Sequence, residues 1–256
     1  VVWAGVLIAI LVPMPTTLTA FRCAAPGVLA AVVAAAATGR PAAPTLAIAV
    51  GTSALATAGA FLPQTAMVCV NGPAYPNERR FPLAPPGPLL LGPLELAWAL
   101  VVAPPTAAVL LLAAQRWVLG GVLAAVGFPV AVLVARALHG LSLRWFVFVP
   151  AGVVVHDPMS LADPVLFQRQ TIACLTTGHD GLDLTLGARR LSVELSLVEE
   201  ARVEVVRNRR RVEVATRDLL IAPTTPGGVL AYAAGHRIPV AVPQRAVPPP
   251  TTTSPS

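Results

Sequence analysis

The chain has 256 residues, 55% of them hydrophobic and 12% charged, with a mean hydropathy of +0.73. Soluble globular domains carry about 25% charged residues, so composition alone excludes an ordinary soluble fold. The net charge of +6 comes from 18 basic residues, all of them arginine. That charge suits an anionic membrane face, and no stretch interleaves arginine with aromatics as a single-strand nucleic-acid groove requires. No nucleic-acid partner is expected.

Charge is unevenly placed. Residues 1–139 hold six arginines and two acids, Glu78 and Glu95, whereas residues 140–256 hold twelve arginines and ten acids. The step divides the chain into a transmembrane helical domain (1–139), a cytoplasmic β-domain (140–245) and a low-complexity tail (246–256, AVPPPTTTSPS) with the composition of a disordered segment.

A span needs about 20 mostly apolar residues. The short opening segment Val1–Met14 ends at Pro13 and Pro15. After it come Cys23–Gly39, Leu46–Leu62, Leu94–Ala114 and Val118–Ala137, giving five spans, or four if the first falls short. No basic region followed by a cleavage site precedes them, so a removable signal peptide is not expected. In this layout one membrane side receives Arg22, Arg79, Arg80, Arg136 and Arg144 and the other Arg40 and Arg116. The richer side, which carries the β-domain, is expected to be cytoplasmic.

The last two spans are joined only by Gln115, Arg116 and Trp117, which forces an antiparallel hairpin. Pro104-Pro105 at the centre of Leu94–Ala114 is expected to kink or break that helix. Within the spans Glu95, one residue from a helix start, is the only acid, and this scarcity of ionisable groups argues against a proton-coupled pump, an ion channel or an intramembrane protease. Thr52, Ser53 and Thr57 read as helix-packing residues. The stretch Gln64–Gly92 is expected to be a long, structureless, proline-rich loop.

From Leu143 short β-branched and aromatic runs take over. Arg144–Val149 and Val153–His156 form an expected hairpin around Pro150-Ala151-Gly152. Val165–Thr176, Leu182–Leu186, Leu191–Val198, Val203–Val206, Val212–Ala215 and Leu219–Ala222 are the further runs, from which six or seven antiparallel strands are expected. A helix over Val229–Gly235 follows, with Thr225 as N-cap and Pro226 at its first position. Strands closed by one C-terminal helix are the layout of a PH-like domain, so the expected fold is a membrane all-α bundle plus a mainly-β PH-like domain with a capping helix.

The candidate sites are few. Cys23, Cys69 and Cys174 lack the spacing of a disulfide framework or a zinc site. His156, Asp157 and Asp163 (HDPMSLADP) are the one place where acid, base and ligand chemistry meet. His139 and His179 are possible further ligands for a metal there, but their spacing does not demand one. The expectation is a turn, with each aspartate preceding a proline, so that Asp157→Ala costs about 1 kcal/mol through a lost side-chain hydrogen bond. No catalytic, cofactor-binding or metal residue is assigned, and no cofactor is expected. Arg207, Arg209, Arg210 and Arg211, with Arg79 and Arg80 upstream, are the candidate lipid or partner contacts.

The segments RWFVFVPAGVVVHDPMSLADPVLF, NGPAYPNERRFPL and TPGGVLAYAAGHRIPV resemble an uncharacterised multi-pass membrane protein family of high-GC Gram-positive bacteria. The C-terminal part resembles the PH-like domains found on bacterial membrane proteins. The resemblance implies a plasma-membrane protein and carries no activity. The expected function is a non-enzymatic anchor or scaffold whose cytoplasmic domain binds a protein partner or the inner leaflet. The alternatives are a transporter or channel component and a membrane-face enzyme using His156 and Asp157.

Overall fold

The computed structural model describes residues 7, 11–39, 42–178, 180–188, 192–207 and 210–241. Most of the expected span Val1–Met14 and the whole 246–256 tail lie outside these residues.

Four described helices are long and apolar enough to cross a bilayer: α1 (Pro15–Thr38), α2 (Ala43–Phe61), α4 (Pro93–Ala113) and α5 (Trp117–Leu141). Between 6 and 17% of each span's most apolar window is buried inside the protein, so most of each apolar surface faces outward, where lipid and not water must cover it. Proline sets several helix starts, because its fixed φ and missing N–H cost nothing at the first turn. It occupies the first turn of α1, α2, α4 and the short α3 (Pro63–Asn71). Helix α1 therefore opens at Pro15, not at the expected Cys23. Arg22, assigned from sequence to a loop, lies inside that helix, with its Nε donating to the Ala60 carbonyl at the end of α2 (2.9 Å).

The α4–α5 hairpin forms as expected, linked by Ala114, Gln115 and Arg116. Pro104 and Pro105 do not break α4, which runs without interruption to Ala113. Gly127 of α5 faces them: a Cβ there would lie 2.7 Å from Pro104 Cβ, so the absent side chain lets the two helices touch. Thr52, Ser53 and Thr57 donate to carbonyls one turn back, at 2.7–2.8 Å, and carry no unpaired hydroxyl into lipid.

The stretch read as a structureless loop is largely ordered. It contributes α3, strand β1 (Arg79–Pro82) and a 3-10 turn at Gly87–Leu91. Asn71, the last residue of α3, donates to the Arg80 carbonyl and accepts from the Arg80 N–H (2.8 and 2.9 Å), serving β1 as a neighbouring strand would. The helical half of the sequence thus supplies an edge strand of the β-domain.

That domain has two four-stranded sheets. The first, in order β1-β2-β3-β4, is antiparallel throughout and adds β2 (Trp145–Val149), β3 (Gly152–His156) and β4 (Val165–Gln168). The second, in order β5-β7-β8-β6, contains β5 (Ile172–Thr177), β6 (Leu182–Asp183), β7 (Val193–Arg207) and β8 (Arg210–Ile221). The expected single strand Val165–Thr176 is split by a 3-10 turn at Arg169–Thr171, where the chain passes from one sheet to the other. The expected pairs 191–198 with 203–206 and 212–215 with 219–222 merge into β7 and β8, with a register shift between Ser196 and Ala201. The sheet is not wholly antiparallel, because β6 runs parallel to β8.

Apolar residues from both sheets build the core. Phe146, Phe148, Val153 and Val155 from the first sheet meet Leu175, Val193, Leu195 and Leu219 from the second. Each such side chain, fully buried, contributes about 1.5–3 kcal/mol. Helix α6 (Pro226–Gly235) adds Val229 and Ala233, and Tyr232 rests against Phe81 and Phe148. Thr225 stands at its N-cap position, but its side chain makes no capping hydrogen bond. At the β2–β3 turn the backbone of Gly152 lies against the Phe167 carbonyl, where a Cβ would collide.

Candidate functional site

Helix α5 and β2 are separated only by Ser142, Leu143 and Arg144, so whatever fixes these residues fixes the β-domain to the membrane helices. His139, in the last turn of α5, shares its Nδ1 with the hydroxyls of Thr19 (2.9 Å) and Ser142 (3.2 Å), joining α1 to the exit of α5. Arg144 is 1% exposed, and it directs Nε and Nη2 to the two carboxylate oxygens of Asp157 at 2.7 and 2.8 Å. Its Nη1 donates to the Ala84 carbonyl just after β1.

The Asp157 carboxylate also accepts from the Met159 N–H (3.0 Å) and the Ser160 hydroxyl (2.7 Å). The expected turn is therefore present, since Asp157 bonds the backbone two residues on. Sequence reading missed Arg144, which makes the turn an ion pair. It also counted Arg144 among the arginines of the richer membrane side, whereas the structure has this charge buried and paired. With four donors on a buried carboxylate, Asp157 has no lone pair turned to solvent.

His156 faces the other way. Its ring stacks on Trp145 (5.1 Å between centroids), and Arg80 lies over the same indole (5.4 Å). Burial, the largest effect, lowers the His156 pKa; the Asp157 carboxylate opposes that and Arg80 reinforces it. The imidazole is therefore held neutral. His139 is engaged at the membrane end, and His179 lies outside the described residues. Among the described residues, no group of three His, Cys, Asp or Glu side chains is placed to hold a metal ion.

The candidate arginines fall into two groups on different sheets. On β1, Arg79 is exposed, while Arg80 is half-buried and pairs with Glu78 at 2.9 Å. On the β7–β8 hairpin, Arg211 is turned towards Asp163 and Glu204 (3.4 and 3.7 Å). Arg207 and Arg210 stand directly opposite each other in the strand register, both exposed and with no carboxylate within ion-pair distance among the described residues. Arg209 lies outside the described residues.

The hairpin tip is tied to the joint through the backbone. The Val206 N–H donates to the Ser160 carbonyl and the Ala162 N–H to the Glu204 carbonyl (2.9 and 3.0 Å). A continuous path therefore runs from α5 through Arg144, Asp157 and Ser160 to Arg207. No signal in the sequence links these segments, because the pairing joins residues about 60 positions apart in Arg144 and Ala84 and more than 40 in Ser160 and Val206.

Comparisons of the chain with protein-family models, with curated proteins and with solved structures give no match.

Proposed function

We propose that this chain is a non-enzymatic membrane-anchored binding protein of a bacterial plasma membrane. Its PH-like β-domain sits against the cytoplasmic leaflet and takes anionic headgroups on the Arg207/Arg210 hairpin tip. The observation that carries this reading is the pairing of these two arginines. Like charges directly opposite on a strand pair destabilise it, and an anion between them reverses the sign. Each basic residue at an anionic surface contributes about 1 kcal/mol.

Position supports the same reading. The tip is hydrogen-bonded to the loop that follows β3, at the end of the domain where α5 leaves it. Orientation is supported by the distribution of arginines. On the β-domain side, Arg79, Arg80 and Arg136 lie outside the buried ion pair, against Arg116 on the other side among the described residues. Counting back from α5, that assignment holds whether or not a fifth span precedes α1. The two sheets and the closing helix support the PH-like layout, while the parallel β6–β8 pair departs from a simple antiparallel meander.

Hydrogen–deuterium exchange on the full chain in nanodiscs tests the reading. Amides of residues 203–212 should exchange more slowly in discs containing phosphatidylglycerol than in discs of phosphatidylcholine alone. The difference should vanish in Arg207→Glu/Arg210→Glu. Equal exchange in both lipids with the unaltered chain would overturn the leaflet contact.

A further inference from the structure

Strand β2 carries the chain away from α5 by about 16 Å at the usual rise per strand residue. At that far end a cavity of about 360 Å³ opens between the turn before β1, the β2–β3 turn, the 3-10 turn after β4 and the end of α6. It has a polar wall of Asn77, Arg169, Tyr232 and His236 and an apolar one that includes Phe148 and Ile238. None of the arginines at the hairpin tip belongs to it.

The polar wall is ordered. His236 Nδ1 lies 2.8 Å from the Tyr232 carbonyl. A carbonyl only accepts, so Nδ1 carries a hydrogen and donates it there. The same ring stacks on Tyr232 at 3.9 Å between centroids. Arg169 Nη1 donates to the His236 carbonyl (2.9 Å), which fixes the guanidinium at the rim. Arg169 has no carboxylate partner among the described residues, and the cavity has no acidic residue in its lining.

We propose that this cavity is a binding site for a small organic anion, whose carboxylate or phosphate head meets Arg169 while its apolar body lies on Phe148 and Ile238. A guanidinium presents a planar fork that fits either head group, and an apolar wall opposite it selects a ligand with a hydrophobic body over a bare ion. The volume is that of a small-molecule pocket and lies at the low end of the usual range. The site is separate from the headgroup contact proposed above and stands if that contact fails.

Fluorine NMR on the full chain in phosphatidylcholine nanodiscs tests it with three probes: 4-fluorobenzoate, 4-fluorophenyl phosphate and 4-fluorobenzylamine, each compared with empty discs. One or both anions should broaden on adding protein, and which of them does identifies the head group; the amine should not. Arg169→Gln should weaken anion binding about tenfold, the loss of one charge-assisted hydrogen bond. Asn77→Trp, at an exposed rim position, should block binding without touching the Arg169 contact. Broadening by the amine as strong as by the anions would overturn the proposal. So would the absence of anion binding, or anion binding unchanged in both variants.

Discussion

The guanidinium of Arg144 and the carboxylate of Asp157 meet through two hydrogen bonds of 2.7 and 2.8 Å at a point where both residues are 1% exposed. This pair joins the last membrane helix to the first sheet, and through Ser160 to the second. Removing one member of a buried pair leaves the other charge desolvated, which costs about 3–5 kcal/mol. Asp157→Asn is therefore expected to lower stability by about that amount, well beyond the 1 kcal/mol of a simple turn. Arg144→Met/Asp157→Leu should recover much of the loss, because no unpaired charge remains. Thermal unfolding of the three proteins in detergent checks both statements; a double variant no better than Asp157→Asn would show that the pair is not acting through its charge.

His156 gives the domain a pH dependence. Its pKa is lowered in the folded state by burial against Trp145, opposed by Asp157 and aided by Arg80. The unfolded chain then binds more protons than the folded one between the folded pKa and the ordinary value near 6.5, so stability rises with pH across that window. Its contribution is complete above the ordinary value and is lost as pH falls through the folded pKa. His156→Phe keeps a ring against Trp145 and should flatten this slope. Melting temperature measured from pH 5 to pH 8 for both proteins decides it, with parallel curves as the contrary result.

Asn71 replaces a neighbouring strand for β1 by bonding both backbone groups of Arg80. Asn71→Ala leaves those groups to water at a half-buried position, and a loss of about 1–2 kcal/mol is expected. The effect should be local, with faster amide exchange at Arg79–Pro82 and little change in β7. Uniform acceleration across the domain would mean that Asn71 supports the whole fold.

The orientation can be read without the structure. A reporter active only outside the cytoplasm, fused after Ser256, should stay silent, and the same reporter placed in the α4–α5 turn at Arg116 should be active. The reverse pattern would place the β-domain outside.

Some of this was settled by the amino-acid sequence itself. Long apolar runs such as Val118–Ala135 suit lipid on every face, so composition marks the four helices as candidate membrane spans, although the sequence reading counted a fifth over Val1–Met14. The alternation Ser-Val-Glu-Leu-Ser over Ser192–Ser196 assigns Val193 and Leu195 to one face, and both are buried in the fold, because successive strand residues point to opposite sides. These are local consequences of period and polarity.

Other features required the fold. An arginine flanked by Leu143 and Trp145 reads from sequence as a membrane-face charge, and only Asp157 and the Ala84 carbonyl make its burial tolerable. Arg79–Pro82 is too short and proline-bounded to announce a strand; it becomes one because β2 and Asn71 satisfy its two edges. Arg207 and Arg210 are left facing each other while Arg211 finds Asp163 and Glu204, a division set by which face of the hairpin each side chain leaves. The cavity at Arg169 and His236 is assembled from four separate chain segments, and its chemistry exists only once the two sheets have closed on α6. Local physics fixes which surfaces are apolar, whereas the pairing of distant charges depends on geometry that only tertiary packing supplies.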